Sequence, residues 1–207
     1  MKLLHIIASP RGERSASTEV AHAFIDAVKS KHANTTCDAL DVWHTALPEF
    51  DGPALDAKYA ALEGRTRTDE QRAVWDEIKV LAARFHAADV IVFSVPMWNL
   101  GIPYRLKHLI DVVSQKDVLF TFDDRGLLGM LGGRKVVVIG ARGVAMAAPD
   151  AAPTADFQND YMVAWANMVG INDVHSVHVE KTLYGPELDH ASRAAACEKA
   201  RALAHSL

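Results

Sequence analysis

Short apolar runs rich in Val and Ile alternate along the chain with longer segments of helical period. That is the pattern of βαβ units feeding a parallel sheet buried on both faces. Residues 3–7, 36–41, 90–94, 135–140 and 174–179 read as strands, and 17–32, 68–86, 103–113, 154–169 and 186–205 as helices. The helix over 68–86 has the clearest signature. Thr68 and Gln71 form a capping-box pair, and Val74, Ile78, Leu81 and Phe85 recur on one face. Gly185-Pro186 marks the start of the last helix, with proline at its first position.

Two connections exceed the usual few residues: 42–67, expected to hold a short extra helix around 55–62, and 114–133. Such excursions serve as a lid, a subunit contact or a plain surface insertion. No Gly/Ser/Pro linker, repeat or low-complexity tract divides the 207 residues, so one domain is expected. Five strands in βαβ order give an α/β fold with a doubly wound parallel sheet of order 2-1-3-4-5 and helices on both faces. Right-handed crossovers then open a ligand crevice at the carboxyl ends of strands 1 and 3. The chemistry is therefore expected in the loops after Ile7, Ser94 and Gly140.

Composition narrows the class. A net charge of -4, with basic residues scattered along the chain, leaves no stripe for a phosphate backbone, so no nucleic-acid partner is expected. No run approaches the roughly 18 apolar positions of a membrane span, so no membrane partner is expected either. The apolar start at Leu3 is ended by Ser9-Pro10-Arg11 too early for a secretory signal, so the expected location is the cytoplasm. Cys37 and Cys197 lack disulfide or metal spacing and read as reduced thiols. His5, His175 and His178 have no Cys or carboxylate at ligand spacing, so no metal site is expected.

The first loop, Ala8-Ser9-Pro10-Arg11-Gly12-Glu13-Arg14-Ser15-Ala16-Ser17, runs into an amphipathic helix. Three hydroxyls and the free N–H groups of a helix start are what a phosphate dianion needs, although serine at a helix entry also serves simply as an N-cap. Neither G-x-x-x-x-G-K-[ST] nor G-x-G-x-x-G is present, and no cysteine or strand-end aspartate supplies a nucleophile. After strand 3, Val95-Pro96-Met97-Trp98-Asn99-Leu100-Gly101-Ile102-Pro103 combines apolar and aromatic surface with a paired donor and acceptor at Asn99. That mixture matches the body and edge of a planar heteroaromatic ring. The plainer alternative makes Met97 and Trp98 core filling and Asn99 a turn residue. After strand 4, Ala141-Arg142-Gly143-Val144 offers successive amides for ring carbonyls or developing negative charge. Arg142 is either part of that site or a surface or ion-paired arginine.

Taken together, S-P-R-G-x-x-S-x-S, P-M-W-N-L-G-I-P and L-P-E-F-D-G-P-A (Leu47 to Ala54) resemble the flavodoxin-like FMN-dependent NADH-azoreductase family, also called NADH:quinone oxidoreductases. The likeness runs over nearly the whole chain. It implies FMN as cofactor, with NADH or NADPH as donor. Ser9, Ser15, Ala16 and Ser17 would take the phosphate, with Arg11 or Arg14 either adding charge from the same loop or simply solvated; Pro96, Met97, Trp98, Asn99 and Leu100 would line the ring. Ala141, Arg142, Gly143 and Val144 would donate to it. The resemblance further implies a homodimer, with Phe120 and Phe122 reaching toward the partner's flavin and the flat quinone or azo substrate. One departure stands out: the family commonly has S-R-G-G where this chain has Ala141-Arg142-Gly143-Val144. If the family's second glycine adopts a positive φ, Val144 is strained there or the loop takes another path. Three rival readings are a flavodoxin-like one-electron carrier, a reductase that releases free reduced FMN and a cofactor-free interaction module.

Overall fold

A computed structural model describes residues 1–146 and 156–207. Strands β1 (Lys2–Ile7), β2 (Thr36–Asp41) and β3 (Val90–Pro96) come first in a parallel sheet completed by β6 (Lys135–Ala141) and β7 (Asp173–Val179). A separate antiparallel hairpin, β4 (Phe120–Asp123) with β5 (Gly126–Gly129), lies between β3 and β6 in sequence. The helices are α1 (Ala16–Lys31), α2 (Gly52–Leu62), α3 (Asp69–Ala87), α4 (Tyr104–Val113), α5 (Phe157–Met168) and α6 (Pro186–Ser206). The sheet order is β2-β1-β3-β6-β7, which is 2-1-3-4-5 among the five sheet strands, as the sequence pattern requires.

The period-2 alternation of the strands divides the core in two. Leu4, Ile6, Ile91, Phe93, Val136 and Val138 face α3, α4 and α5. Leu3, Val90, Val92, Val137 and Ile139 face α1 and α6, where Val20, Phe24 and Ala200 are fully buried. Small residues on α6 let it approach closely: Ala196, Ala200 and Ala204 form its buried face. The Thr68–Gln71 capping box is complete in both directions, and Pro186 opens α6 after Gly185 at φ 98°. The expected start of the fourth long helix at Thr154 lies outside the described residues.

The hairpin was not visible as strands in the sequence. Each arm has only four residues, and Gly126 and Gly129 end the second arm, so neither periodicity nor propensity marks it. Tertiary contact holds it in place. The Met130 N–H donates to the Leu119 carbonyl (2.9 Å) and the Leu131 N–H to the Val169 carbonyl (2.8 Å). Gly129 lies directly against the backbone of Val169 and Gly170.

Candidate active site at the carboxyl edge of the sheet

The three expected loops meet at the carboxyl ends of β1, β3 and β6. In the first, a short 3₁₀ turn (Gly12–Arg14) with Gly12 at φ 55° brings Ser15 to the N-cap of α1. The Ser15 hydroxyl accepts from the Thr18 N–H (3.3 Å) and from Thr18 Oγ1 (3.0 Å). Both lone pairs are thus used, and its proton is left to donate toward Ser17 Oγ (3.2 Å) or an incoming oxygen. Ser9, Ser15 and Ser17 are buried. Among the described residues nothing accepts the N–H groups of Ala16 and Ser17, and no carboxylate pairs with the exposed Arg11. The serines therefore cap the helix and also leave donors at its positive end, so the two readings of this loop are compatible.

The second loop is a tight turn. Trp98 and Gly101 exchange N–H···O bonds of 3.0 Å each way, with Asn99 at φ 48° and Leu100 at φ 71° between them. Two successive positive φ values are the geometry of a type I′ turn. Asparagine tolerates it, whereas leucine stores about 1 kcal/mol or more of strain there. The turn projects Trp98 and Asn99 outward, both exposed, and anchors Met97 through its N–H to the Ala141 carbonyl (2.8 Å). Trp98 is therefore not core filling, and Asn99 is both turn residue and crevice residue.

In the third loop, Val144 does not adopt a positive φ, so the β-branched side chain carries no left-handed strain. Among the described residues nothing accepts the N–H groups of Gly143 and Val144. Arg142 is corrected as a direct ring contact. It is 3% exposed, and its guanidinium donates to Gln158 Oε1 (2.9 Å) and Glu180 Oε1 (3.2 Å) and pairs with Asp156. Its own N–H goes to the Val179 carbonyl (2.8 Å). A buried guanidinium needs paired carboxylates, and here they come from the N-cap of α5 and the residue after β7.

Trp43 was missed. Its Nε1 donates to the Ala8 carbonyl (3.0 Å) at the root of the serine loop, and its ring packs on Trp98 (centroids 5.6 Å) and edge-on to Tyr104 (5.3 Å). Arg105 braces the same loop through the carbonyls of Val42 (2.9 Å) and Thr45 (3.1 Å). A signal existed: Trp43 follows the end of β2, which lies next to β1 and so borders the crevice.

From Trp98 and Asn99 a cavity of about 1460 Å³ extends between α4 and α5, walled by Phe50, Tyr104, Phe120, Phe157 and Tyr161. It does not include the serine loop, which adjoins it across the Trp98 turn. Burial, with Asp111 adding to it, pushes the Tyr161 hydroxyl up to about 12, so it stays a neutral donor at any working pH. Phe120 is on this wall; Phe122 is exposed, with Lys116 Nζ 5.1 Å above its ring.

His5 lies one layer beneath the crevice on β1. Ser94 Oγ donates to the Ile6 carbonyl (3.3 Å), leaving His5 Nε2 to donate to Ser94 (3.0 Å). Burial first, and the neighbouring His22 second, hold the imidazole down to about 4, against a smaller opposing pull from Asp41. The unfolded chain takes up this proton near 6.5 and the folded one only near 4, so stability falls as pH drops through that window. The expected loss is about 3 kcal/mol. Urea midpoints measured from pH 7 to 4 check it, and His5→Gln should flatten the decline; an unchanged slope in that variant would reject His5 as the source.

A strand-end crevice with a donor-rich helix start beside a ring-sized shelf defines a doubly wound α/β protein built for a phosphorylated planar cofactor. The chain belongs to the flavodoxin-like family that includes the FMN-dependent NADH:quinone oxidoreductases and azoreductases. A family model described as flavodoxin-like fold matches residues 1–204. The chain is 52% identical over 204 residues to FMN-dependent NADH:quinone oxidoreductase 2 of Pseudomonas syringae pv. tomato, covering 99% of this chain and 98% of that protein. It is 46% identical over 209 residues to FMN-dependent NADH:quinone oxidoreductase 3 of Pseudomonas fluorescens, covering 100% and 97%. Among solved structures, an FMN-dependent NADH-azoreductase from Bacillus anthracis in complex with FMN superposes with TM-score 0.85 at 26% identity, covering 99% of this chain and 100% of that one.

Proposed function

We propose that this chain is an FMN-dependent oxidoreductase that carries two electrons from NADH to quinones and azo compounds, the whole chain acting as one FMN-binding domain. One observation carries the reading: a donor-rich serine helix start, a Trp98–Gly101 turn, and amides at Gly143 and Val144 that nothing among the described residues accepts all stand at the carboxyl ends of the neighbouring strands β1, β3 and β6. The names of the relatives supply the donor and the acceptor classes.

The residues fit FMN. Ser9, Ser15 and Ser17, with the N–H of Ala16 and the free charge of Arg11, grip a dianionic phosphate at the positive end of α1. Pro96, Met97, Trp98 and Leu100 give the ring an apolar shelf, and Asn99 meets its polar edge. The Gly143 and Val144 N–H groups at the end of the Ala141–Val144 stretch donate where negative charge accumulates, without any side chain gaining or losing a proton. Bound FMN supplies the hydride acceptance and two-electron delivery that the side chains lack. The aromatic cavity beyond Trp98 takes flat molecules one at a time, so donor and acceptor alternate in a ping-pong cycle.

Tyr104 is 65% exposed, Phe157 58% and Trp98 37%, all on the cavity wall. So much aromatic surface around one cavity is costly in an isolated chain and supports a homodimer closing over it. The free thiols Cys37 and Cys197 accord with residence in the cytoplasm. No described helix is long and apolar enough to cross a membrane.

The test is spectroscopic, then kinetic. Purified protein should carry FMN or take it up, bleach anaerobically with NADH, and give parallel initial-velocity lines with a quinone. Apoprotein that cannot be reconstituted would reject the reading; intersecting lines would reject the shared binding place; a monomer in sedimentation would reject the dimer.

A further inference from the structure

We propose that Arg142 is a positioning residue that sets the two ring-bearing loops relative to one another, acting through Gln158 rather than by touching the cofactor. The inference rests on the FMN reading above for its functional consequence, but its mechanical part concerns the protein alone.

The guanidinium reaches three acceptors, on Gln158 and Asp156 at the start of α5 and on Glu180 just past β7. Gln158 is fully buried, and its Nε2 donates to the Val95 carbonyl (2.8 Å), two residues before Met97. A Cβ at Gly140 would stand 2.9 Å from Gln158 Oε1 and 2.7 Å from His178 Cδ2, so the amide is wedged against the strand where a side chain would displace it. Glu180 Oε1, besides receiving Arg142, accepts the Met146 N–H (3.2 Å). The Arg142 carbonyl takes the Thr182 N–H (3.1 Å) and Oγ1 (3.0 Å), while the Leu183 N–H goes to the Gly143 carbonyl (3.2 Å).

These bonds clamp the loop after β6 at both ends and tie it, by way of one amide, to the end of β3. The backbone link from Met97 to Ala141 closes the ring of contacts on the crevice side. A planar fork with five donors satisfies three acceptors at the start of α5 and the end of β7; an ammonium on a flexible stem satisfies one or two and fixes no plane. Removing the guanidinium leaves Asp156 and Glu180 facing each other, and both loops lose their common reference. Sub-ångström placement of ring donors decides their worth to a bound ring.

Three variants test this: Arg142→Lys, which keeps charge without the fork; Arg142→Met, which removes both; and Gln158→Leu, which leaves the ion pairs and cuts the bond to Val95. Hydrogen–deuterium exchange of the apoprotein reads the coupling. Arg142→Lys and Arg142→Met should both speed exchange in the segment 95–101, which Arg142 does not touch, as well as in 140–146, and Gln158→Leu should act mainly on 95–101. FMN titration of the apoproteins should give a Kd raised at least ~10-fold in Arg142→Met and Gln158→Leu. Failure of Lys to rescue, and a shifted visible spectrum of the flavin that does bind, mark positioning rather than charge balance. Exchange faster only in 140–146, or full rescue by Lys, would overturn the proposal. Should Arg142→Met not fold, the other two variants decide. Wild-type apoprotein that takes no FMN would instead sink the functional reading, leaving the exchange result to judge the coupling.

Discussion

Gly129→Ala should lower the stability of this protein by about 3 kcal/mol or more, the largest effect expected of any single methyl group. A Cβ built at Gly129 falls 2.0 Å from the Gly170 nitrogen and 2.1 Å from the Val169 carbonyl carbon. Both are backbone atoms in the turn that ends α5, where Gly170 sits at φ 92° and its N–H is bonded to the Asn167 carbonyl (3.0 Å). No rotamer change relieves such a contact; the hairpin must lift off, breaking the bond from Leu131 to Val169. Phe120, carried on the same hairpin, would leave the cavity wall. Gly132→Ala is the control, because its nearest atom is 3.8 Å away, an ordinary contact, and its cost should stay near ~0.5 kcal/mol. Urea unfolding of the two variants beside the parent checks this, and equal midpoints for Gly129→Ala and the parent would show that the hairpin is not seated there.

Ser17→Ala should weaken FMN binding by about 10- to 100-fold, the worth of one charge-assisted hydrogen bond. Ser17 is chosen over Ser15 because its hydroxyl contacts only Ser15 Oγ, whereas Ser15 also caps α1. Apoprotein stability should therefore hold in Ser17→Ala and fall by about 1 kcal/mol in Ser15→Ala. Ser17→Asp goes further, since a carboxylate facing a phosphate dianion should abolish detectable binding, while the α1 dipole keeps that carboxylate tolerable in the apoprotein. Fluorescence titration of each apoprotein with FMN gives the comparison. Undiminished affinity in Ser17→Asp would place the phosphate elsewhere.

Much of the crevice was legible before any coordinates. The strand and helix alternation, the serine turn and the P-M-W-N segment are local patterns, and the strand order then says where they meet. What was not legible follows from one cause: those features are contacts between residues far apart in sequence. Trp43 and Ala8 are joined across a crevice, and Gln158 is an ordinary helical polar residue until its amide meets Val95. The hairpin exists because its backbone lies on the α5 turn, not because its eight residues prefer to be strands.

Arg142 shows the division most clearly. From its position after β6 it could equally be ring contact or structural ion pair, because local sequence carries no information about which carboxylates will be near. Side-chain period, caps and turn chemistry are decided within a few residues, and the chain alone determined the sheet, its order and the three loops. Where a buried charge finds its counter-ions depends on the packing of α5 and β7 against β6, and only the tertiary structure decided that Arg142 is a buried ion-paired residue joined to Gln158 and Glu180.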